Sequence, residues 1–169
     1  MNFQGLQWLF PVAVTLHNGE EAVWFPKWSR RARRWPAPVE TGIFCFAVVV
    51  FTVLAFVVTW LSVRSGKQTI WTYLDFGYMT AVLANAFVPH IAVSLATRSY
   101  MPGVATATVV NLPALSLLTW LAVKEGYVSG WKAAEYSVCV AGILLVAIPL
   151  LFKLGRLLKL DGGRPEHDG

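Results

Sequence analysis

Charged residues are scarce in this chain of 169 residues, at 14% of the total, whereas soluble domains carry roughly 25%. Fourteen Lys and Arg stand against nine Asp and Glu, which gives a net charge of +5. Hydrophobic residues make up 56% of the chain. So little charge cannot cover the surface of a water-exposed globule, so the composition excludes a soluble enzyme and a largely disordered chain.

Cysteine and the common cofactor motifs are also lacking. The two cysteines, Cys45 and Cys139, lie in apolar runs without CxxC or Cys/His spacing, which excludes a disulfide scaffold and a zinc knuckle. The chain has no glycine-rich nucleotide loop, serine-hydrolase elbow or haem-attachment motif. It also has no nucleic-acid motif. The expected partners are therefore membrane lipids and a hydrophobic or lipid-like small molecule, and no nucleic acid.

Long hydrophobic runs are abundant instead, and each exceeds the roughly 18 residues needed by a membrane-spanning helix. The sequence predicts an all-α polytopic membrane protein, a bundle of about five transmembrane helices that form a single domain over residues 1–160. The predicted spans lie near residues 3–25, 41–63, 71–97, 101–123 and 133–154. The Gly-rich, acidic tail 161–169 is expected to be disordered and cytoplasmic.

The distribution of Lys and Arg predicts the orientation of these spans. With five spans, ten basic residues lie on one side of the membrane and four on the other. This predicts an outer N-terminus and a cytoplasmic C-terminus.

Segment 24–35 combines five of the basic residues with three tryptophans, which is typical of a topology signal with an aromatic belt. Docking of anionic headgroups is the alternative.

Polar residues inside the predicted spans are the candidate functional residues, because burying them in a membrane is costly. The first span carries His17, Glu20 and Glu21, and the third carries Asn85 and His90. Given the predicted orientation, the three residues of the first span and His90 lie in the inner half of the membrane, and Asn85 lies near the middle of the membrane. Asn111 of the fourth span falls at a similar depth and is a further candidate.

The spacing of the first group indicates a metal site. His17 and Glu21 are four residues apart and share a helix face, and the pattern H-x-x-E-E is one residue away from the inverted zinc-enzyme motif H-x-x-E-H. By that analogy, His17 and Glu21 are metal ligands and Glu20 is the general base. His90, the only other histidine within the spans, is the expected third ligand. Two His, one Glu and a water form a catalytic zinc set, so the expected cofactor is a divalent metal, zinc first.

Pro89 affects how the third span presents its polar residues. In an ideal helix Asn85 and His90 do not share a face. Proline disrupts the helix at the carbonyl four residues earlier, which is that of Asn85. A kink at this position would turn His90 toward the first span, with Asn85 orienting a substrate or stabilising an oxyanion.

Two motifs, H17-N-G-E20-E21 and N85-A-F-V-P89-H90, resemble those of the HXXEE family of small bacterial membrane proteins, which combines HxxEE with a downstream NxxxPH. The resemblance covers the chain from the first to at least the fourth span. It implies a multi-pass protein of the bacterial plasma membrane and strengthens the candidate site, but it names no reaction.

The sequence therefore favours a metal-dependent hydrolase of a lipid or other hydrophobic substrate. The alternatives are a small transporter or proton-linked membrane factor that uses the same polar cluster, and a cluster that only holds helices together. Asp75 and Glu135, near the outer ends of their spans, are expected to be solvated. Arg98 and Tyr100 either contact a substrate or mark the inner membrane boundary.

Overall fold

The computed structural model describes residues 2–31 and 38–160, and within these ranges every regular element is a helix. The helices are α1 (Phe3–Leu6), α2 (Leu9–Arg31), α3 (Thr41–Ser65), α4 (Ile70–Asn85), α5 (Ala92–Thr97), α6 (Val104–Thr106), α7 (Leu112–Lys124) and α8 (Gly130–Leu157). Two π-helical segments, Ala86–Ile91 and Ala107–Asn111, join α4 to α5 and α6 to α7. The predicted all-α fold is confirmed.

Four helical stretches among the described residues are long and apolar enough to cross a membrane: Thr41–Ser65, Ile70–Thr97, Val104–Lys124 and Gly130–Leu157. Each has at least 21 residues, and a spanning helix needs about 20. Helix α2 has 23 residues, but its polar residues keep it out of this group of four. The crossing of a membrane by α2 therefore stays a prediction.

Local sequence sets the tight turn between α3 and α4. Gly66 ends α3 with a φ of 79°, a conformation that side chains with a Cβ rarely adopt. Three residues later, the Thr69 hydroxyl accepts a hydrogen bond from the Thr72 amide at 3.3 Å and caps the start of α4. The short turn makes α3 and α4 antiparallel neighbours.

Helices α2 and α3 also pack antiparallel. Gln7, just before α2, donates to Ser62 near the end of α3, and Phe25 near the end of α2 stacks on Phe44 near the start of α3 at 4.9 Å. Helix α4 packs against both α3 and α8. The largest group of buried apolar side chains lies toward the start of α2 and includes Phe10 and Leu115. This apolar core therefore lies in the half of the bundle away from the end of α2.

Asp75 is fully buried, so the expectation that it is solvated is wrong. Its Oδ2 accepts from Gln7 Nε2 at 2.6 Å, and its Oδ1 accepts from Thr59 Oγ1 at 2.9 Å. Asp75 is buried because the segment before α2 folds over the start of α4 and supplies the Gln7 amide as its partner. Glu135 is exposed on α8, as expected of a solvated acid.

Two parts of the sequence predictions fall outside the described residues. They are the second half of the basic and aromatic segment (Arg33, Arg34 and Trp35) and the tail 161–169. The first half of that segment forms the end of α2, where Lys27, Arg30 and Arg31 are exposed. The role of this segment as a topology signal stays a prediction.

Candidate metal centre

His17 and Glu21 face each other along one side of α2, one helical turn apart. His17 Nε2 lies 3.9 Å from Glu21 Oε2. Both side chains lie largely inside the bundle, with exposed fractions of 4% for His17 and 15% for Glu21. The i, i+4 spacing thus brings an imidazole nitrogen and a carboxylate together inside the bundle, as the sequence predicts.

His90 joins this pair because the helix breaks one turn after Asn85. Within the segment Ala86–Ile91, Val88 has extended dihedral angles (φ −130°, ψ 114°), directly before Pro89. Beyond the break, His90 Nε2 lies 3.3 Å from Glu21 Oε1. The two imidazole rings meet edge to face, with centroids 4.7 Å apart. The predicted convergence of the HxxEE and NxxxPH motifs is therefore present.

The three side chains form a cluster with the geometry of a metal site. One ligand atom from each of His17, Glu21 and His90 lies within 4.8 Å of the other two. Ligands about 2.0–2.2 Å from a tetrahedral zinc lie about 3.3–3.6 Å from one another, so small side-chain movements suffice to close the shell. The Nε2 atoms of both histidines are buried without a hydrogen-bond partner among the described residues. Buried polar atoms of this kind call for a partner such as an ion.

Gly103, directly before helix Val104–Lys124, closes the cluster on one side. It has a φ of 93°, and a Cβ at this position would lie 2.5 Å from His90 Cε1 and 3.0 Å from His17 Cε1. The first distance is shorter than a Cβ tolerates and the second is very tight, and the positive φ also favours glycine, so this backbone position suits glycine beside the two rings. The role of Gly103 was not predicted from the sequence, in which the only local signal is Met-Pro-Gly before a helix.

Glu20 does not point into the cluster. Its Oε1 accepts from the Gly103 amide at 2.8 Å and from the Tyr100 hydroxyl. Its Oε2 accepts from the amide and the hydroxyl of Thr106, at 3.0 and 2.6 Å. The carboxylate therefore lies at the start of helix Val104–Lys124, where backbone N–H groups favour a negative charge. Its expected role as general base stays a prediction.

Tyr100 and Thr106 link Glu20 to its surroundings. Burial, the hydrogen bond to Glu20 and the Glu20 charge together raise the pKa of Tyr100 to about 12, so its hydroxyl remains a donor at neutral pH. Thr106 Oγ1 also lies 3.0 Å from His17 Nδ1. The sequence raised Tyr100 as a candidate but gave no sign of Thr106, because its partners belong to another helix.

The remaining predicted polar residues occupy separate positions. Asn85 is partly buried and lines the same cavity as the cluster. Asn111 is fully buried at the end of the segment Ala107–Asn111, and neither atom of its amide has a hydrogen-bond partner among the described residues. Arg98 is exposed and ends α5 in a left-handed conformation. Exposure fits the membrane-boundary role of Arg98 better than substrate contact.

A cavity of about 740 Å³ adjoins the cluster, and His17, Glu21 and His90 all line it. Its other walls are mainly apolar side chains from α2, α3, α4 and α8, such as Phe44 and Leu144. Apart from the two histidines, Glu21 is the only residue with a formally charged side chain among the described residues that line the cavity. The cluster thus faces a space suited to an apolar molecule.

The class of protein follows from these features: an all-helical protein with four membrane-capable helices and a buried His/Glu cluster beside an apolar cavity. A family model described as "Protein of unknown function with HXXEE motif" matches residues 8–120, and the chain belongs to this family. The resemblance inferred from the two motifs is confirmed. The matched region contains all of the cluster residues.

One relative extends the similarity over most of the chain. The chain is 35% identical over 147 residues to the uncharacterized protein YrkK of Bacillus subtilis (strain 168). The alignment covers 86% of this chain and 92% of that protein. No solved structure matches the chain.

Proposed function

We propose that His17, Glu21 and His90 bind one divalent metal ion, zinc first, and that the protein is a metal-dependent hydrolase of a lipid or other hydrophobic substrate. The observation that carries the proposal is the position of the cluster, whose three side chains converge and also line the cavity. Two imidazoles and one carboxylate leave a fourth position of a tetrahedral ion open to water or substrate. A divalent ion held there would activate water and polarise a carbonyl.

The cavity supports a substrate that enters from the lipid phase. Phe87 and Val88 line the cavity and are also 53% and 69% exposed. An apolar molecule that enters between these side chains would therefore meet a mainly apolar cavity wall beside the cluster. Within the proposal, Asn85 orients the polar group of the substrate from the cavity wall.

The orientation and membrane form part of the proposal: a multi-pass protein of the bacterial plasma membrane, with an outer N-terminus and a cytoplasmic C-terminus. Among the described residues, seven Lys and Arg lie at the end where α2 and α8 finish, and four lie at the other end. Such asymmetry orients membrane proteins with their basic side in the cytoplasm. The cluster then lies in the inner half of the membrane.

Side-specific reporters test the orientation and the number of spans. A reporter after Leu160 is expected on the cytoplasmic side, and one between Ser65 and Gly66 on the outer side. A reporter before Phe3 is expected on the outer side as well, because α2 and α3 together would cross the membrane twice. Opposite sides for the Phe3 and Gly66 reporters would show that α2 does not span.

Hydrolysis is tested with the purified protein in lipid nanodiscs and para-nitrophenyl esters of palmitate and acetate. We expect metal-dependent hydrolysis with a preference for palmitate. Ala84 lines the cavity and is exposed at its edge, so Ala84→Trp should lower palmitate hydrolysis by about tenfold and leave the bound metal unchanged. Val109→Trp, at an exposed position outside the cavity lining, is the matched control. Bound metal without hydrolysis of either ester, or of lipids in a total bacterial extract, would contradict the hydrolase proposal.

One observation favours the alternative of a small transporter or proton-linked factor. Asp75 gives the bundle a second buried carboxylate, in the half away from the cluster. Buried carboxylates at different depths are found in proton pathways. Proton flux into liposomes in the absence of metal, lost in Asp75→Asn, would support this alternative over the hydrolase.

A further inference from the structure

The hydroxyl of Thr106 lies between Glu20 and His17. Its Oγ1 is 2.6 Å from Glu20 Oε2 and 3.0 Å from His17 Nδ1. The carbonyl of Gly103 is a more distant neighbour at 3.2 Å. One hydroxyl thus joins a carboxylate that is not in the cluster to a histidine that is.

The hydroxyl has one hydrogen to donate, and this decides which ring nitrogen of His17 carries a proton. A short bond to a carboxylate is charge-assisted and stronger than a bond to a neutral ring nitrogen, so Thr106 donates to Glu20. The contact with His17 then requires Nδ1–H as the donor and the threonine oxygen as the acceptor. His17 Nε2 is left unprotonated, with its lone pair available beside Glu21.

Glu20 is itself held by donors that do not depend on the cluster. The amides of Gly103 and Thr106 and the Tyr100 hydroxyl all donate to its carboxylate. The Gly103 amide directly precedes helix Val104–Lys124 and the Thr106 amide lies in its first turn, a position that favours the ionised carboxylate. Glu20 is therefore a fixed acceptor, and Thr106 has a constant reason to direct its hydrogen away from His17.

We infer that Glu20 is a positioning residue, which acts through Thr106 to hold His17 in the Nδ1–H form that presents Nε2 to the metal. This inference rests on the proposed metal site and replaces the direct action of Glu20 on water. Carboxylates that orient a ligand histidine through its second nitrogen are common at metal sites. Here the hydroxyl of Thr106 stands between the carboxylate and the ring.

Thr106→Val and Thr106→Ser form a matched pair of variants of the full chain in nanodiscs. Valine keeps the shape of threonine but removes the hydroxyl, whereas serine keeps the hydroxyl. We expect Thr106→Val to weaken zinc binding by about 10–100-fold, the usual effect of losing a partner of a ligand, and Thr106→Ser to bind within about threefold of the wild type. Equal zinc affinity in the wild type and Thr106→Val would overturn the inference.

Nitrogen NMR of ¹⁵N-histidine in the metal-free wild-type protein tests the inference without any variant. We expect His17, assigned by its loss in His17→Gln, to give the signals of a neutral ring protonated at Nδ1. A ring protonated at Nε2 would overturn the inference. If the wild type binds no metal but His17 is in the Nδ1–H form, the metal proposal fails while the link from Glu20 to His17 stands.

Glu20→Gln distinguishes positioning from direct base catalysis. If Glu20 is a positioning residue, the Glu20→Gln variant should bind zinc as weakly as the Thr106→Val variant. If Glu20 is a general base, the Glu20→Gln variant should bind zinc like the wild type and no longer hydrolyse the palmitate ester. Unchanged zinc affinity in Glu20→Gln together with a loss of turnover would therefore contradict the inference.

Discussion

Gly103→Ala is expected to lower the free energy of unfolding by about 2–5 kcal/mol and to abolish metal binding. The left-handed backbone conformation costs about 1–2 kcal/mol for a residue with a Cβ, and overpacking adds about 1–3 kcal/mol. The new methyl group would lie 2.5 Å from His90 Cε1 and 3.0 Å from His17 Cε1. Both rings are almost fully buried, so neither can move away without breaking the cluster.

Gly126→Ala is the matched control for this prediction. Gly126 has a φ of 72°, but a Cβ there meets no atom within 4 Å. It should show the backbone cost of about 1–2 kcal/mol and no effect on metal. The comparison uses thermal unfolding of the metal-free proteins and zinc titration of each. Equal losses of stability and equal zinc affinities in the two variants would contradict the close approach of Gly103 to the rings.

Glu21→Gln is expected to weaken zinc binding by at least about 100-fold. The loss of a metal ligand should cost more affinity than the loss of a group that hydrogen-bonds to a ligand, which costs about 10–100-fold. The metal-free protein should stay folded, since the substitution removes a largely buried carboxylate and keeps its shape. Zinc should therefore raise the melting temperature of the wild type and leave that of Glu21→Gln unchanged.

Glu135→Gln is the control for Glu21→Gln, since it removes the same charge from an exposed position on α8. It should bind zinc like the wild type. A similar melting-temperature increase with zinc in Glu21→Gln and Glu135→Gln would show that the ion binds elsewhere. A loss of folding in metal-free Glu21→Gln would show that the cluster is structural, which is the third interpretation of the sequence.

Sequence periodicity was sufficient for the part of the cluster that lies on one helix. His17 and Glu21 meet because residues four apart on a helix are neighbours. The approach of His90 was predictable from the effect of Pro89 on the helix. Apolar runs likewise predicted the long helices, because burial in lipid demands about 20 apolar residues in succession.

The contacts between helices were not predictable in the same way. The zinc-enzyme motif predicted Glu20 as the general base but gave no sign that its carboxylate bonds to the start of helix Val104–Lys124. Asp75 was expected in solvent, yet Gln7 covers it. Both outcomes depend on which helices are neighbours and on how far each is shifted along the axis of the bundle. A single sequence states neither directly.

The metal content of the wild-type protein is the most direct test of whether His17, Glu21 and His90 bind a metal ion. The protein would be purified in detergent without chelator, supplied with zinc, freed of excess ion and analysed by elemental mass spectrometry, with Glu21→Gln treated in parallel. The account predicts one zinc ion per chain in the wild type and much less than one in the variant. A wild type without bound metal, or with the same amount as Glu21→Gln, would contradict it.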